Sequence, residues 1–208
     1  MARSPERPGL VPATPDNIRR AAKLLMQGEL VVVPTETVYG VAARADSPDA
    51  LAKLYAAKGR DESKRIALFA DSLETVRAAG VQVDEIAARL AAAFWPGPLT
   101  LVLPNAAGGW DGFRVPDHAV ALAWLRELGG VVPAVTSANR SGEPAARTAQ
   151  EAWAALAPHV ALALDAGPGA VGAASTVVKV SAGEVEILRP GPIARAALER
   201  AAQCPVRG

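Results

Sequence analysis

Apolar and polar positions follow one another along this chain in two rhythms, a period near 3.6 residues and short unbroken apolar runs, and the switches between them mark helices and strands. Thr14-Pro15-Asp16 opens the first helical stretch, with Thr14 as N-cap and Pro15 where a missing N–H costs nothing. Ile18, Ala22 and Leu25 then share a face, and Gly28 supplies the stop. Leu30-Val31-Val32-Val33 has the composition of a strand covered on both faces, and Pro34 ends it. Ser47-Pro48 repeats the helix opening ahead of Leu51, Leu54 and Tyr55, and this helix closes near Lys58-Gly59.

Residues 66–69 read as a strand, 84–94 as a helix with Ile86, Leu90 and Phe94 in register, and 99–103 as a strand after the breaker Pro96-Gly97-Pro98. Residues 116–128 and 148–156 carry helical patterns and 131–135 an extended one. The runs 176–180 and 185–188 pair as a hairpin across Ser181-Ala182-Gly183. A hairpin among helix–strand alternations predicts an α/β fold with a mixed sheet in one domain, residues 14–208. Residues 1–13, rich in proline and charge, are expected to form a flexible arm.

Composition removes several classes of function. A chain of 208 residues that is 50% hydrophobic can bury one sizeable core, and a net charge of +1 makes no demand for nucleic acid or membrane as partner. The single cysteine, Cys204, leaves no disulfide framework and no cysteine metal site, which fits a reducing cytoplasm. No run approaches the roughly 20 apolar residues of a membrane span. With His118 and His159 as the two histidines and no nucleophile elbow, a Ser-His-Asp hydrolase has little support. Nowhere do histidines and carboxylates cluster at ligand spacing, so no protein metal site is expected and any Mg²⁺ would arrive with phosphates.

Chemistry-bearing residues gather just past the strands. Pro34-Thr35-Glu36-Thr37-Val38-Tyr39-Gly40 sets hydroxyls, a carboxylate and a phenol after a buried strand, where open α/β sheets bind ligands; a polar turn serving its own backbone is the alternative. Lys58-Gly59-Arg60 and Lys64-Arg65 follow a helix, where cations also suit the helix dipole. Thr136-Ser137-Ala138-Asn139 follows the strand at 131–135, and Gly167-Pro168-Gly169-Ala170-Val171-Gly172 lacks the spacing of a phosphate-binding loop. Ser175 and Arg189 stand at the outer ends of the hairpin, which an antiparallel pairing brings together.

In order, PTETVYG at 34–40, KGR at 58–60, FWPGPLTLVLP at 94–104, FRVPDH at 113–118, TSANRSGEP at 136–144, STVV at 175–178 and ILRPG at 187–191 resemble the YrdC family. The resemblance implies a single YrdC-like domain, a twisted mixed sheet with helices around a large, electropositive concave cavity. It implies an L-threonylcarbamoyladenylate synthase, a cytoplasmic nucleotidyltransferase that takes L-threonine, bicarbonate and ATP with Mg²⁺ toward threonylcarbamoyladenosine in transfer RNA, and that supplies a downstream tRNA transferase machinery. By the same resemblance Lys58 and Arg60 are catalytic and face the ATP phosphates. Ser137, Asn139 and Arg189 hold the nucleotide, and Thr35, Arg114 and Ser175 the threonine. The family's pattern has prolines where Asp61 and Arg65 stand here, and a histidine near the position of Phe69. A paralogue of the same fold that binds RNA or nucleotide without making the adenylate is the second reading, and direct RNA contact is left open.

Overall fold

Side-chain caps decide where most of the helices begin. In a computed structural model that describes residues 9–169 and 172–208, Thr14, Ser47, Ser72, Asp84 and Thr148 each accept a hydrogen bond from the backbone N–H three residues on. They open α1 (Pro15–Met26), α2 (Pro48–Lys58), α3 (Leu73–Ala78), α4 (Glu85–Phe94) and α6 (Ala149–Leu156), the last through a full capping box with Glu151. Helices α5 (Ala119–Glu127) and α7 (Arg195–Ala202) start without a side-chain cap. The strands are β1 (Leu10–Pro12), β2 (Leu30–Val33), β3 (Gly40–Arg44), β4 (Ala67–Phe69), β5 (Leu99–Pro104) and β6 (Trp110–Arg114). The remainder are β7 (Pro133–Ser137), β8 (Val160–Asp165), β9 (Thr176–Ser181), β10 (Glu184–Arg189) and β11 (Val206–Arg207).

These form one mixed sheet in the order β1-β8-β2-β3-β7-β4-β6-β5-β9-β10-β11. The hairpin is present: β9 and β10 pair antiparallel from Ser181↔Glu184, and Ala182 and Gly183 both take positive φ (48° and 84°), the turn that matches strand twist. Three expectations need correction. The arm at 1–13 is not loose at 10–12, which pair in parallel with Ala163, Leu164 and Asp165; its residues 1–8 lie outside the described residues. The helix expected at 116–128 starts only at Ala119, and the strand expected at 131–135 is shifted to Pro133–Ser137, so Ser137 ends the strand rather than following it.

Side-chain alternation builds the core on both faces of one half of the sheet. Leu30 and Val32 point toward α2 and α6, while Val31 and Val33 point toward α1 and α5, which is why β2 is apolar throughout. The other half has helices on one face. Leu99, Leu101 and Leu103 of β5, Phe113 of β6 and Val178 and Val180 of β9 pack with α4 and α7. The residues between them, Thr100, Val102, Gly112, Arg114 and Val177, line a cleft on the opposite face.

Candidate active site

The cleft has a volume of about 250 Å³ and is walled by the ends of β3 and β7, the face of β4, β6, β5 and β9, and the loops 35–39 and 60–66. Four arginines line it, Arg60, Arg65, Arg114 and Arg189, together with the hydroxyl residues Thr35, Thr37, Thr100, Thr136, Ser137 and Ser175. No carboxylate is among the described lining residues. Arg65 narrows the mouth by donating to the carbonyl of Trp110 and standing 3.6 Å from Asp111. From β9, one strand beyond β5, Lys179 sets its ammonium 4.1 Å from the centre of the Trp110 ring.

Arg114 is buried on the sheet face, and its guanidinium is fixed from two sides. Nε donates to the Gly97 carbonyl at 3.2 Å, and Nη2 donates to Glu36 at 2.7 Å and to the Thr37 hydroxyl at 2.9 Å. The Glu36 and Arg114 side chains are 12% and 6% exposed, and Glu36 Oε2 is buried with no hydrogen-bond partner among the described residues. Burial pulls the Arg114 pKa below the ordinary guanidinium value, and Glu36 only partly restores it. Arg189 reaches back over the hairpin: Nε and Nη2 donate to the Ser175 carbonyl at 3.2 and 2.8 Å, and Nη2 to the Ser175 hydroxyl at 3.1 Å. Burial, then Arg114, then Arg60 lower its pKa, so Arg189 is repelled by both of the other guanidiniums. An anion placed among them relieves that repulsion.

The hydroxyls divide into occupied and free. Thr35 Oγ1 donates to the Val38 carbonyl at 2.7 Å and accepts from the N–H groups of Thr37 and Val38, so the 34–40 segment is a polar turn as well as a cleft wall. Ser175 Oγ lies 2.8 Å from Thr100 Oγ1. Gly191 permits this corner, because a Cβ there would come 2.4 Å from the Thr176 nitrogen. Ser137 lines the cleft with its hydroxyl outside every hydrogen bond among the described residues.

The Sua5/YciO/YrdC family model, whose description reads "Telomere recombination", matches residues 23–191. The chain belongs to that family. A Mycobacterium tuberculosis (strain ATCC 25618 / H37Rv) relative is 40% identical over 182 residues, 83% of each chain. The threonylcarbamoyl-AMP synthase of Bacillus subtilis is 36% identical over 192 residues, 88% of this chain and 55% of that one. Among solved structures, Pyrococcus abyssi Sua5 complexed with L-threonine superposes with a TM-score of 0.87 at 30% identity, over 96% of this chain and 61% of that chain. The chain thus spans little more than half the length of those two relatives. Escherichia coli YciO shares the fold at a TM-score of 0.77 and 20% identity.

Of the residues expected to form the Sua5/YciO/YrdC site, Thr35, Arg60, Arg114, Ser137, Ser175 and Arg189 line the cleft together. Lys58 and Asn139 do not; both are buried behind it, at 2% and 7% exposure. The reason is Gly59, which takes left-handed φ and ψ of 57° and 41° at the end of α2 instead of an extended conformation. Residues 58 and 60 therefore leave the helix in different directions, Arg60 to the cleft and Lys58 inward. The Asn139 amide nitrogen donates to the carbonyls of Arg140 and Glu143, which closes its own turn. Phe69 packs under the Arg114 guanidinium, 5.5 Å from its ring centre, and Asp61 turns the 61–64 loop by accepting from the Ser63 N–H at 2.8 Å. Thr100 and the role of Glu36 went unforeseen, although a threonine inside Leu99-Thr100-Leu101-Val102-Leu103 is the period-two signal of a strand with one polar face.

Proposed function

We propose that the chain is a threonylcarbamoyl-AMP synthase, a nucleotidyltransferase acting on L-threonine, bicarbonate and ATP. The observation that carries this reading is one cleft whose described lining holds four arginines and no carboxylate, in a member of a family whose curated relatives bear that name. Threonine's amine and bicarbonate combine with loss of water to a carbamate; a carbamate oxygen then forms a bond to the α-phosphorus of ATP while the bond to pyrophosphate breaks. Both reactants are anions, so their approach is the problem to be solved. Arg60 and Arg189 offset the triphosphate charge and the charge gathering on pyrophosphate, without any protein nucleophile. Arg114, held by Glu36, receives the threonine carboxylate beside Ser175 and Thr35, and Ser137 offers its free hydroxyl to the nucleotide. Hydroxyls without carboxylates are a poor donor set for a resident Mg²⁺, so the ion is part of the substrate, carried by the triphosphate. The Arg65 closure limits water around an intermediate that hydrolyses readily. The product then passes to a transferase acting on transfer RNA in the cytoplasm.

Pyrophosphate release from MgATP, with threonine and bicarbonate supplied singly and together, tests the reading. Release is expected only with both, and Arg60→Met is expected to lower it on the order of 10²-fold while the melting curve stays that of the parent. Equal release without threonine rejects the synthase reading in favour of a paralogue that binds nucleotide or RNA.

A further inference from the structure

Lys58 is the last residue of α2, and its side chain is 2% exposed, among the largest fully enclosed side chains of the fold. A buried ammonium needs acceptors, and this one has two backbone carbonyls: Ser137 O at 2.5 Å and Asn139 O at 2.6 Å. The backbone of the same residue completes the link, since the Lys58 carbonyl accepts from the Ser141 N–H at 2.7 Å. One residue thus gathers both ends of the 137–141 segment. Neutralising two carbonyl dipoles on the inner side leaves the outer side to the Ser137 side chain, which lines the cleft. Ala138 cannot swing to compensate, because its N–H is tied to the Tyr39 carbonyl at 2.8 Å. The cleft's own cations, in contrast, all stand on its lining: Arg60, Arg65, Arg114 and Arg189.

Resting on the synthase reading, we infer that Lys58 is a positioning residue: by drawing the Ser137 and Asn139 carbonyls onto one ammonium it sets the Ser137 hydroxyl in the cleft wall, and it does not meet the triphosphate. Its charge acts through Ser137. Lys58 and Ser137 are therefore one unit, and changing either loses the same interaction with ATP.

Acetylation of the parent protein at pH 8, read by peptide mass spectrometry, tests the placement without any variant. Lys53, whose side chain is 49% exposed, is the internal reference. Lys58 is expected to react at least about tenfold more slowly than Lys53, because enclosure bars the reagent even though the same burial leaves more of this amine uncharged at pH 8. Labelling as fast as Lys53, abolished by ATP, would mark a phosphate-contacting lysine and overturn the inference. Steady-state kinetics of Lys58→Met, Ser137→Ala and the double variant test the coupling. Each single change should raise the ATP KM by about tenfold, the worth of a charge-assisted hydrogen bond, and the double variant no further than the larger single. Multiplying effects in the double variant, or a fall in kcat with an unchanged ATP KM, would overturn it. If Lys58→Met does not fold, the labelling alone decides. Absence of threonine-dependent turnover in the parent would instead count against the synthase reading and leave the labelling result standing.

Discussion

Glu36→Ala is expected to be costly to the fold and to weaken the use of threonine with it. The Glu36 carboxylate stands 2.7 Å from Arg114 Nη2, with both side chains close to nine-tenths buried or more. Two unit charges with centres about 4 Å apart attract by about 4 kcal/mol at an effective permittivity near 20. Removing one partner of a buried pair typically costs about 3–5 kcal/mol, because the other charge stays behind uncompensated. In a chain of this size each kcal/mol moves the melting midpoint by about 2–4 °C, so a fall of about 6–20 °C is expected. Glu36→Gln keeps an acceptor without the charge and should fall between. Burial outweighs Glu36 in setting the Arg114 pKa, and replacing a buried ion pair by apolar side chains of similar volume is often neutral or stabilising. Glu36→Leu combined with Arg114→Met should therefore recover most of the midpoint while threonine-dependent pyrophosphate release stays lost. Calorimetry and the threonine KM read the two halves of this prediction. A Glu36→Ala variant melting within about 2 °C of the parent, less than 1 kcal/mol would produce, refutes the argument that this pair holds the cleft.

Burial, then Arg60, hold the Lys58 pKa to about 8, below the ordinary lysine value of 10.5, so between those values the unfolded chain binds the extra proton and stability rises with pH. The cost of the buried charge is fully present below about 8; the parent's urea midpoint should therefore gain on that of Lys58→Met as pH rises from about 8 to 10, and a constant difference would count against the assignment. Gly191→Ala places a Cβ 2.4 Å from the Thr176 nitrogen and 2.8 Å from the Ser175 carbonyl carbon, both backbone atoms. It should cost about 1–3 kcal/mol in a thermal melt and lower turnover by shifting Ser175; an unchanged melt would show that the corner yields freely.

Elements with strong punctuation were legible in the sequence. Thr14-Pro15, Ser47-Pro48 and Thr148 mark helix starts that the caps confirm, and Ala182-Gly183 supplies the turn the hairpin needs. Strand β3 was not, because Gly40-Val41-Ala42-Ala43-Arg44 owes its smallness to packing: a Cβ on Gly40 would lie 2.7 Å from Val135 Cγ1. Strand β8, Val160-Ala161-Leu162-Ala163-Leu164-Asp165, carries residues of high helix propensity and becomes a strand through pairing with β1 and β2. Within the site, the proximity of Ser175 and Arg189 followed from hairpin geometry, and their hydrogen bonds bear it out. The direction of Lys58 was not readable, since it depends on the left-handed conformation of Gly59, and glycine permits the extended alternative equally well.

The order of the sheet gives its outermost positions to very short strands, three residues in β1 and two in β11. An exposed strand edge is a template for another chain, and short edges are one means by which proteins avoid that fate. Just inside β1 lies β8, five apolar residues without proline or glycine followed by a final aspartate. Segments of that kind stack readily into cross-β ribbons when their backbone is left unpaired. Leu10, Val11 and Pro12 cover this edge, and Pro12 has no N–H to offer a further strand. The stretch that reads as a loose arm is thus a guard against self-association, and its three residues bear on solubility out of proportion to the area they bury.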